Sequence, residues 1–162
     1  MKRALILPLL AALAFAGPAH AEDYAVSAIK YKNKGAYKAY FNIRVKYSNG
    51  NVIECEGKNT TGQGIQSGKS ITIQLDNSDH SLDSDIYDVC TPKVGNEVWG
   101  MVYIDRGLGY SPASNRESCK KDKTKFYYHP DGGTLVVHTE GTTENGNRCR
   151  IDKKGGVKYP VD

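Results

Sequence analysis

The stretch Glu97–Asp105, which reads Glu-Val-Trp-Gly-Met-Val-Tyr-Ile-Asp, most narrowly limits what this chain can fold into. Every residue between the two acids is apolar, aromatic or glycine, and the stretch contains Trp99, the only tryptophan. Because side chains alternate between the faces of a strand, both faces of this segment are apolar. The pattern predicts a strand that is covered on both sides and forms the centre of an all-β domain.

The N-terminus has the organisation of a secretory leader. Lys2 and Arg3 precede an apolar run over residues 4–16, and Ala19-His20-Ala21 supplies the small residues that a signal peptidase reads. The run is shorter than the roughly 20 apolar residues that a transmembrane helix needs. We therefore predict a signal peptide over residues 1–21, a single domain over residues 22–162, no transmembrane segment, and a periplasmic or secreted location in a bacterium.

The charge balance bears on the kind of partner. The chain has 22 Lys+Arg and 18 Asp+Glu, and removal of Lys2 and Arg3 with the leader leaves 20 − 18 = +2. A nearly balanced domain lacks the strong positive field that is typical of nucleic-acid binding. The expected partner is therefore a protein or a glycan, with no nucleic acid.

Four cysteines lie in the predicted mature chain: Cys55, Cys90, Cys119 and Cys149. An even number of cysteines in an oxidising compartment predicts two disulfides. Three pairings are possible, and we favour the pairing of neighbours, Cys55–Cys90 with Cys119–Cys149, because each bond then closes a long irregular stretch. No two cysteines have the short spacing of a zinc site.

Short segments with strand-like alternation follow one another along the chain. They cover residues 24–31, 41–47, 52–56, 71–75, 97–105, 126–129, 134–139 and 148–151. Ser48-Asn49-Gly50-Asn51 predicts a tight type I′ hairpin, so the first three segments are expected to form a meander. Pro130-Asp131-Gly132-Gly133 predicts a second hairpin turn.

This spacing of strands predicts an antiparallel β-sandwich with two disulfides, with a closed β-barrel as the second choice. In general architecture such a domain resembles the immunoglobulin-like sandwiches. The cysteines do not flank Trp99 at immunoglobulin spacing, so the resemblance implies nothing about function.

The first candidate binding site is the face of Glu97–Asp105 that carries Trp99, Met101 and Tyr103. If the opposite face packs in the core, these side chains form an outward patch suited to a glycan or a protein. The alternative is that a loop or a terminal strand covers them, or that they form the core and the valines face outward. The segment that follows adds further candidate ligand contacts: Arg106, Tyr110 and Arg116.

An acidic loop is the second candidate. Five aspartates fall within thirteen residues: Asp76, Asp79, Asp83, Asp85 and Asp88. Carboxylate oxygens of this kind bind calcium in exported proteins, although the loop has no EF-hand pattern. The alternative is a solvated loop anchored by Cys90, and no other metal or cofactor is expected.

Two histidines form the third candidate. His129 and His138 flank the Pro130 turn, and an imidazole pair can transfer protons in the cleavage of a phosphodiester. In a hairpin, however, His138 would lie about four positions beyond the residue opposite His129, so direct pairing is disfavoured.

Tyrosine and lysine interleave in the first third of the mature chain, and there are 11 tyrosines against 3 phenylalanines. The interleaved residues include Tyr31, Tyr37, Tyr40 and Tyr47 among Lys30, Lys32, Lys34, Lys38 and Lys46. The pattern suits an anionic glycan or a single-stranded nucleic acid. It equally suits strand residues with lysines that protect an edge from aggregation, which is the interpretation we favour.

Taken together, these features predict an exported, non-catalytic binding protein that recognises a protein or carbohydrate of the cell envelope or host surface. One alternative is an exported enzyme inhibitor or immunity-type protein that inserts the loop between Arg106 and Arg116 into an enzyme site. A second alternative is a small secreted hydrolase that uses His129 and His138.

Overall fold

The computed structural model describes residues 22–58, 64–82, 90–107, 115–121, 123–144 and 146–161. The predicted signal peptide lies outside these ranges. The strands are β1 Tyr24–Asn33, β2 Lys38–Lys46, β3 Val52–Cys55, β4 Ser70–Gln74, β5 Glu97–Asp105, β6 Arg116–Ser118, β7 Phe126–Tyr128, β8 Gly133–Glu140, β9 Arg148–Lys154 and β10 Val157–Lys158. Within these ranges, no helix has the length and apolar character needed to cross a membrane.

All ten strands belong to one open sheet, so the predicted all-β class is confirmed. The order is β3-β2-β5-β7-β1-β8-β9, with β4 and β10 also paired to β1 and β6 also paired to β5. Most pairs are antiparallel, but β1 runs parallel to both β7 and β8. The sheet is therefore mixed, and its two halves face each other across the core.

Strand β1 connects more elements than any other described strand. Its first residues, Tyr24 and Ala25, pair with β7 and with β10, while the segment from Ala28 to Lys32 pairs with β4 and with β8. Since a strand has only two edges, β7 and β10 lie on opposite sides of its first half, and β4 and β8 on opposite sides of its second half. Strand β5 is buried at every residue, as its sequence predicts, but the sheet is organised around β1.

The turn after β7 carries the chain across β1. The Gly132 N–H donates to the His129 carbonyl at 2.9 Å, so the predicted turn is present. The strands that it joins are not a hairpin, because β7 and β8 flank β1 on opposite sides. A Cβ on Gly132 would lie 2.5 Å from the Val26 nitrogen, which shows how closely the two backbones pass. The hairpin prediction was therefore wrong.

The core lies between the β2–β5 half and the β1–β8 half of the sheet. The rings of Tyr31 on β1 and Phe41 on β2 stack with centroids 4.8 Å apart. Around them pack fully buried Ile29, Ile43 and Leu135, which have 0% exposure. Strands β1 and β2 thus meet face to face through the core, so β1 is not part of the predicted meander.

Both disulfides join the predicted pairs. Cys55–Cys90 has its Cα atoms 5.5 Å apart, and Cys119–Cys149 has them 4.9 Å apart. Cys149 lies on β9, next to β8, whereas Cys119 follows β6, which pairs with β5. This second bond therefore links the two halves of the sheet at a point where no strand pairing joins them among the described residues.

Candidate functional site

A cleft of about 210 Å³ opens where β2 ends, β5 begins and β7 joins them. The Cα register places Lys46 of β2 beside Glu97 of β5, and Glu97 beside Tyr127 of β7. One row of residues thus crosses three strands that are far apart in sequence. The Tyr47–Tyr127 cleft, as we call it, is lined by Lys46, Tyr47, Ser48, Gly95, Glu97, Lys125 and Tyr127.

The β2–β3 hairpin forms one wall of the cleft. Alternating residues of β2 lead into the Asn49-Gly50 turn, where the Tyr47 N–H donates to the Asn51 carbonyl and the Gly50 N–H to the Tyr47 carbonyl, both at 2.9 Å. Gly50 has a φ of 86°, but Asn49 does not have a positive φ. The turn is therefore a type I turn closed by a left-handed glycine rather than the predicted type I′. It leaves Tyr47 half-buried and Ser48 exposed.

The opposite wall is built by the turn before β5 and by β7. The Gly95 N–H donates to the Tyr128 carbonyl, and the Tyr128 N–H to the Asn96 carbonyl, each at 2.9 Å. Tyr127 is half-buried, and its ring stacks on Tyr159 with the centroids 4.5 Å apart. The stacking restrains the Tyr127 ring at the cleft.

Both cleft tyrosines are neutral hydroxyl groups at neutral pH. Burial raises the pKa of Tyr47 above its ordinary value. Burial also raises the pKa of Tyr127, with smaller contributions from the carboxylates of Asp23 and Glu97. Each phenol can therefore both donate and accept a hydrogen bond beside an apolar ring.

Some charged side chains at the cleft form ion pairs, and others do not. The Glu97 side chain is 9% exposed, and its Oε1 lies 2.7 Å from the Lys120 Nζ. The same Lys120 ammonium lies 4.3 Å from the ring centroid of Trp99. Lys46 and Lys125 are exposed, and within the described residues neither forms an ion pair. Two lysines are thus available to a ligand.

The predicted Trp99 face is covered. Trp99 is 5% exposed, Met101 4% and Tyr103 3%, so of the two interpretations of this face the buried one applies. Met101 and Tyr103 pack with Tyr40 in a small cluster separate from the main core. Arg106 and Arg116 are exposed, while Tyr110 lies outside the described residues.

Hydrogen bonds explain why polar Tyr103 tolerates burial. Its hydroxyl donates to Glu54, which also accepts from Asn42 Nδ2 at 2.9 Å and from Arg44 Nε at 2.7 Å. Burial alone would raise the pKa of Glu54, but these bonds outweigh it and leave the pKa below its ordinary value of 4.5. The outer surface of β2 and β5 is therefore an ionic network rather than an apolar binding face.

The two histidines are held at separate places. The His129 N–H donates to the Val26 carbonyl at 3.1 Å, whereas His138 pairs with Lys32, six residues further along β1. At about 3.3 Å per strand residue their backbones are about 20 Å apart. His138 Nδ1 lies 2.7 Å from an oxygen of Asp152, without the orientation of a hydrogen bond. The structure does not bring the predicted imidazole pair together.

The acidic loop is only partly described. Asp76 accepts from the Ser78 N–H at 3.0 Å, and Asp79 from the Ser81 N–H at 2.9 Å, which are turn-stabilising contacts. Asp83, Asp85 and Asp88 lie outside the described residues. The described residues contain no group of three His, Cys, Asp or Glu side chains that could hold a metal. Calcium binding by the loop stays a prediction.

The sequence pattern that contains part of the cleft is the interleaving of lysine and tyrosine. Of the four tyrosines in that pattern, Tyr31, Tyr37 and Tyr40 are buried, and only Tyr47 reaches the surface. A second pair of the same type, Lys125 and Tyr127, was not recognised in the sequence. Its signal, one lysine two residues before a tyrosine on a short strand, is too small to stand out.

No family model matches the sequence, and no curated protein matches it. Several solved structures, of pneumolysin and of listeriolysin O, show a remote likeness. A non-hemolytic pneumolysin from Streptococcus pneumoniae is 13% identical, with a TM-score of 0.39, over 78% of this chain and 23% of that one. The membrane-binding domain of pneumolysin is 11% identical, with a TM-score of 0.39, over 80% and 97% of the two chains. Listeriolysin O is 16% identical, with a TM-score of 0.34, over 78% of this chain and 22% of that one.

The chain spans about a quarter of the length of the complete toxins. A likeness of this size assigns neither a family nor an activity. The candidate site therefore stands on its own geometry.

Proposed function

We propose that this chain is an exported, non-catalytic binding protein that holds a saccharide in the Tyr47–Tyr127 cleft. The observation that carries the proposal is the half-buried Tyr127 ring beside Ser48, Glu97 and two lysines in one cleft. The Tyr47 ring packs against the core, and this residue only borders the cleft. Sugars present an apolar face of C–H groups and an edge of hydroxyl groups. A site for them needs aromatic surfaces together with a few placed polar groups, which is what this cleft offers.

Export is supported by the covalent structure. All four cysteines are in disulfides, a state that persists in the periplasm or outside the cell. The leader-like residues 1–21 point in the same direction. A saccharide of the cell envelope or of a host surface is a ligand that a protein in these compartments meets.

Two features favour binding over catalysis. Glycoside hydrolysis ordinarily requires a pair of carboxyl groups, and Glu97 is the single carboxylate among the described lining residues. It is already paired with Lys120 at 2.7 Å. His129 and His138, whose backbones are about 20 Å apart along β1, lack the proximity that joint acid–base chemistry needs.

The test is titration calorimetry of the purified mature protein with a panel of oligosaccharides. For the saccharide that binds most tightly, Tyr127→Ala is expected to weaken affinity about tenfold, because it removes the aromatic contact surface. Tyr127→Phe should retain most of the affinity, since it keeps the ring and loses only the hydroxyl.

Arg150→Ala on β9 is the control, because Arg150 is exposed and remote from the cleft. Thermal melts verify that each variant is folded. If the wild-type protein binds no saccharide, or if Tyr127→Ala binds as tightly as the wild type, the proposal is wrong.

A further inference from the structure

We infer that the Tyr47–Tyr127 cleft selects anionic saccharides, whose carboxylate or sulfate group lies between Lys46 and Lys125. The inference rests on the proposed function, because it specifies the ligand class of the same cleft. Lys46 is the last residue of β2, and Lys125 immediately precedes β7, so the two lysines line the cleft from either side of β5.

The first step of the argument is the neutralisation of Glu97. Although Lys46 is the register partner of Glu97 on the neighbouring strand, Glu97 pairs instead with Lys120 at 2.7 Å. This contact cancels the negative charge on the cleft floor and leaves Lys46 unpaired within the described residues. A ligand anion entering the cleft therefore does not meet a net repulsive floor.

The second step is the remaining charge. Besides Glu97, the carboxylate that acts electrostatically on the cleft tyrosine is Asp23, which contributes to the raised pKa of Tyr127. Among the described residues, these two acids face three lysines, Lys46, Lys120 and Lys125, so this set of charged groups is net positive. Opposite charge favours an anionic ligand in both encounter and bound state.

The third step concerns the shape of the anion. The lysine side chain has a compact charge without the planar fork of arginine. It therefore binds a carboxylate or a sulfate with little geometric preference. The half-buried Tyr127 ring provides a surface for the sugar that bears the group. The shared chemistry is thus a sugar ring with an attached anion, and the experiment distinguishes the two forms of the anion.

The test compares four probes by titration calorimetry: tetragalacturonate, which is carboxylated; a heparin-derived tetrasaccharide, which is sulfated; maltotetraose, which is neutral; and an oligothymidylate as an anionic polymer without the sugar surface of the others. Each is measured at low and high salt. An acidic tetrasaccharide is expected to bind at least about fivefold more tightly than maltotetraose, with an affinity that falls as salt rises.

The variant Lys46→Gln/Lys125→Gln should remove this preference, weakening the acidic probe about fivefold and leaving maltotetraose unchanged. The matched control is Lys69→Gln/Lys153→Gln, which removes the same charge at exposed positions outside the cleft. Salt dependence in the wild-type protein provides a readout that needs no variant.

The outcomes separate the two proposals. If maltotetraose binds as tightly as both acidic probes and the lysine variant changes nothing, the anionic selection is wrong while saccharide binding stands. If the oligothymidylate binds as well as the acidic sugars, the cleft recognises an anionic chain rather than a saccharide, and the inference is overturned. If no tetrasaccharide binds, the proposed function itself fails.

Discussion

Replacement of Gly132 by alanine tests the crossing of the chain over β1. A Cβ at this position would lie 2.5–2.6 Å from the N, Cα and C atoms of Val26, all of them backbone. Normal carbon contacts are near 3.5–4.0 Å, so one backbone must move by about 1 Å. Overpacking of this kind costs about 3 kcal/mol, because no side chain can rotate away.

Hydrogen bonds near the crossing add to the cost. Ser27 Oγ donates to the Gly132 carbonyl at 2.7 Å, and the His129 N–H donates to the Val26 carbonyl at 3.1 Å. The loss of both adds about 2 kcal/mol, at about 1 kcal/mol each. The expected loss in the free energy of unfolding for Gly132→Ala is thus about 3–5 kcal/mol, a large part of the stability of an ordinary domain.

The assay is urea unfolding followed by circular dichroism, with Gly50→Ala as the matched control. Gly50 also adopts a special conformation, φ +86°, but a Cβ there meets nothing within 4 Å. Its substitution should cost only about 1–2 kcal/mol of backbone strain. Equal losses for the two variants would refute the close crossing at Val26 and with it the parallel placement of β7 and β8 around β1.

Three further results are expected. Replacing Cys119 and Cys149 together by alanine opens a loop with a sequence separation of 30, which should lower the free energy of unfolding in urea by about 3.6 kcal/mol. Phe41→Ala removes the ring stacked on Tyr31 and should cost about 3–5 kcal/mol in the same assay. The pKa of Glu54 lies below its unfolded value of 4.5, so its stabilising contribution is present above that pH and is lost as the pH falls below it. In a plot of the free energy of unfolding against pH, Glu54→Gln should therefore flatten the acid limb.

Controls sharpen these expectations. Glu144 is exposed, so Glu144→Gln should leave the acid limb as it is in the wild-type protein. An unchanged acid limb in Glu54→Gln would contradict the role of its hydrogen bonds with Tyr103 and Arg44. An unfolding free energy that is the same with and without the Cys119–Cys149 bond would contradict the chain-entropy account of that link.

Local sequence patterns correctly predicted the strands and pairings that depend on residues close together in the sequence. The bounds of β5 were predicted in full, because an apolar run with an acid at each end marks both its burial and its limits. The β2–β3 hairpin followed from alternation and Asn49-Gly50. The predicted disulfide pairing was correct, but its reason was not, because the closed segments contain β4 in one case and β7 and β8 in the other. Strand β6 was missed, since three residues, Arg116–Ser118, are too few to show a period.

The sequence predicted the arrangement of the strands in space less well. The Pro130 turn predicts a reversal, but a turn signal does not specify which edge of which strand the chain will join. The cleft depends on the same non-local information. Its row of Lys46, Glu97 and Tyr127 exists only because β5 pairs with β7 at a single position, and no spacing in the sequence encodes that pairing.

The position of β1 in the sheet also determines when the protein can fold. A chain that emerges from a ribosome or a translocation channel N-terminus first exposes residues 24–33 early, but their pairing partners lie within residues 70–158. Until those residues appear, both edges of an apolar strand are open to incorrect pairing. Such non-local topology also gives slow folding. The sheet around β1 therefore cannot be completed before Val157 and Lys158 of β10 are available.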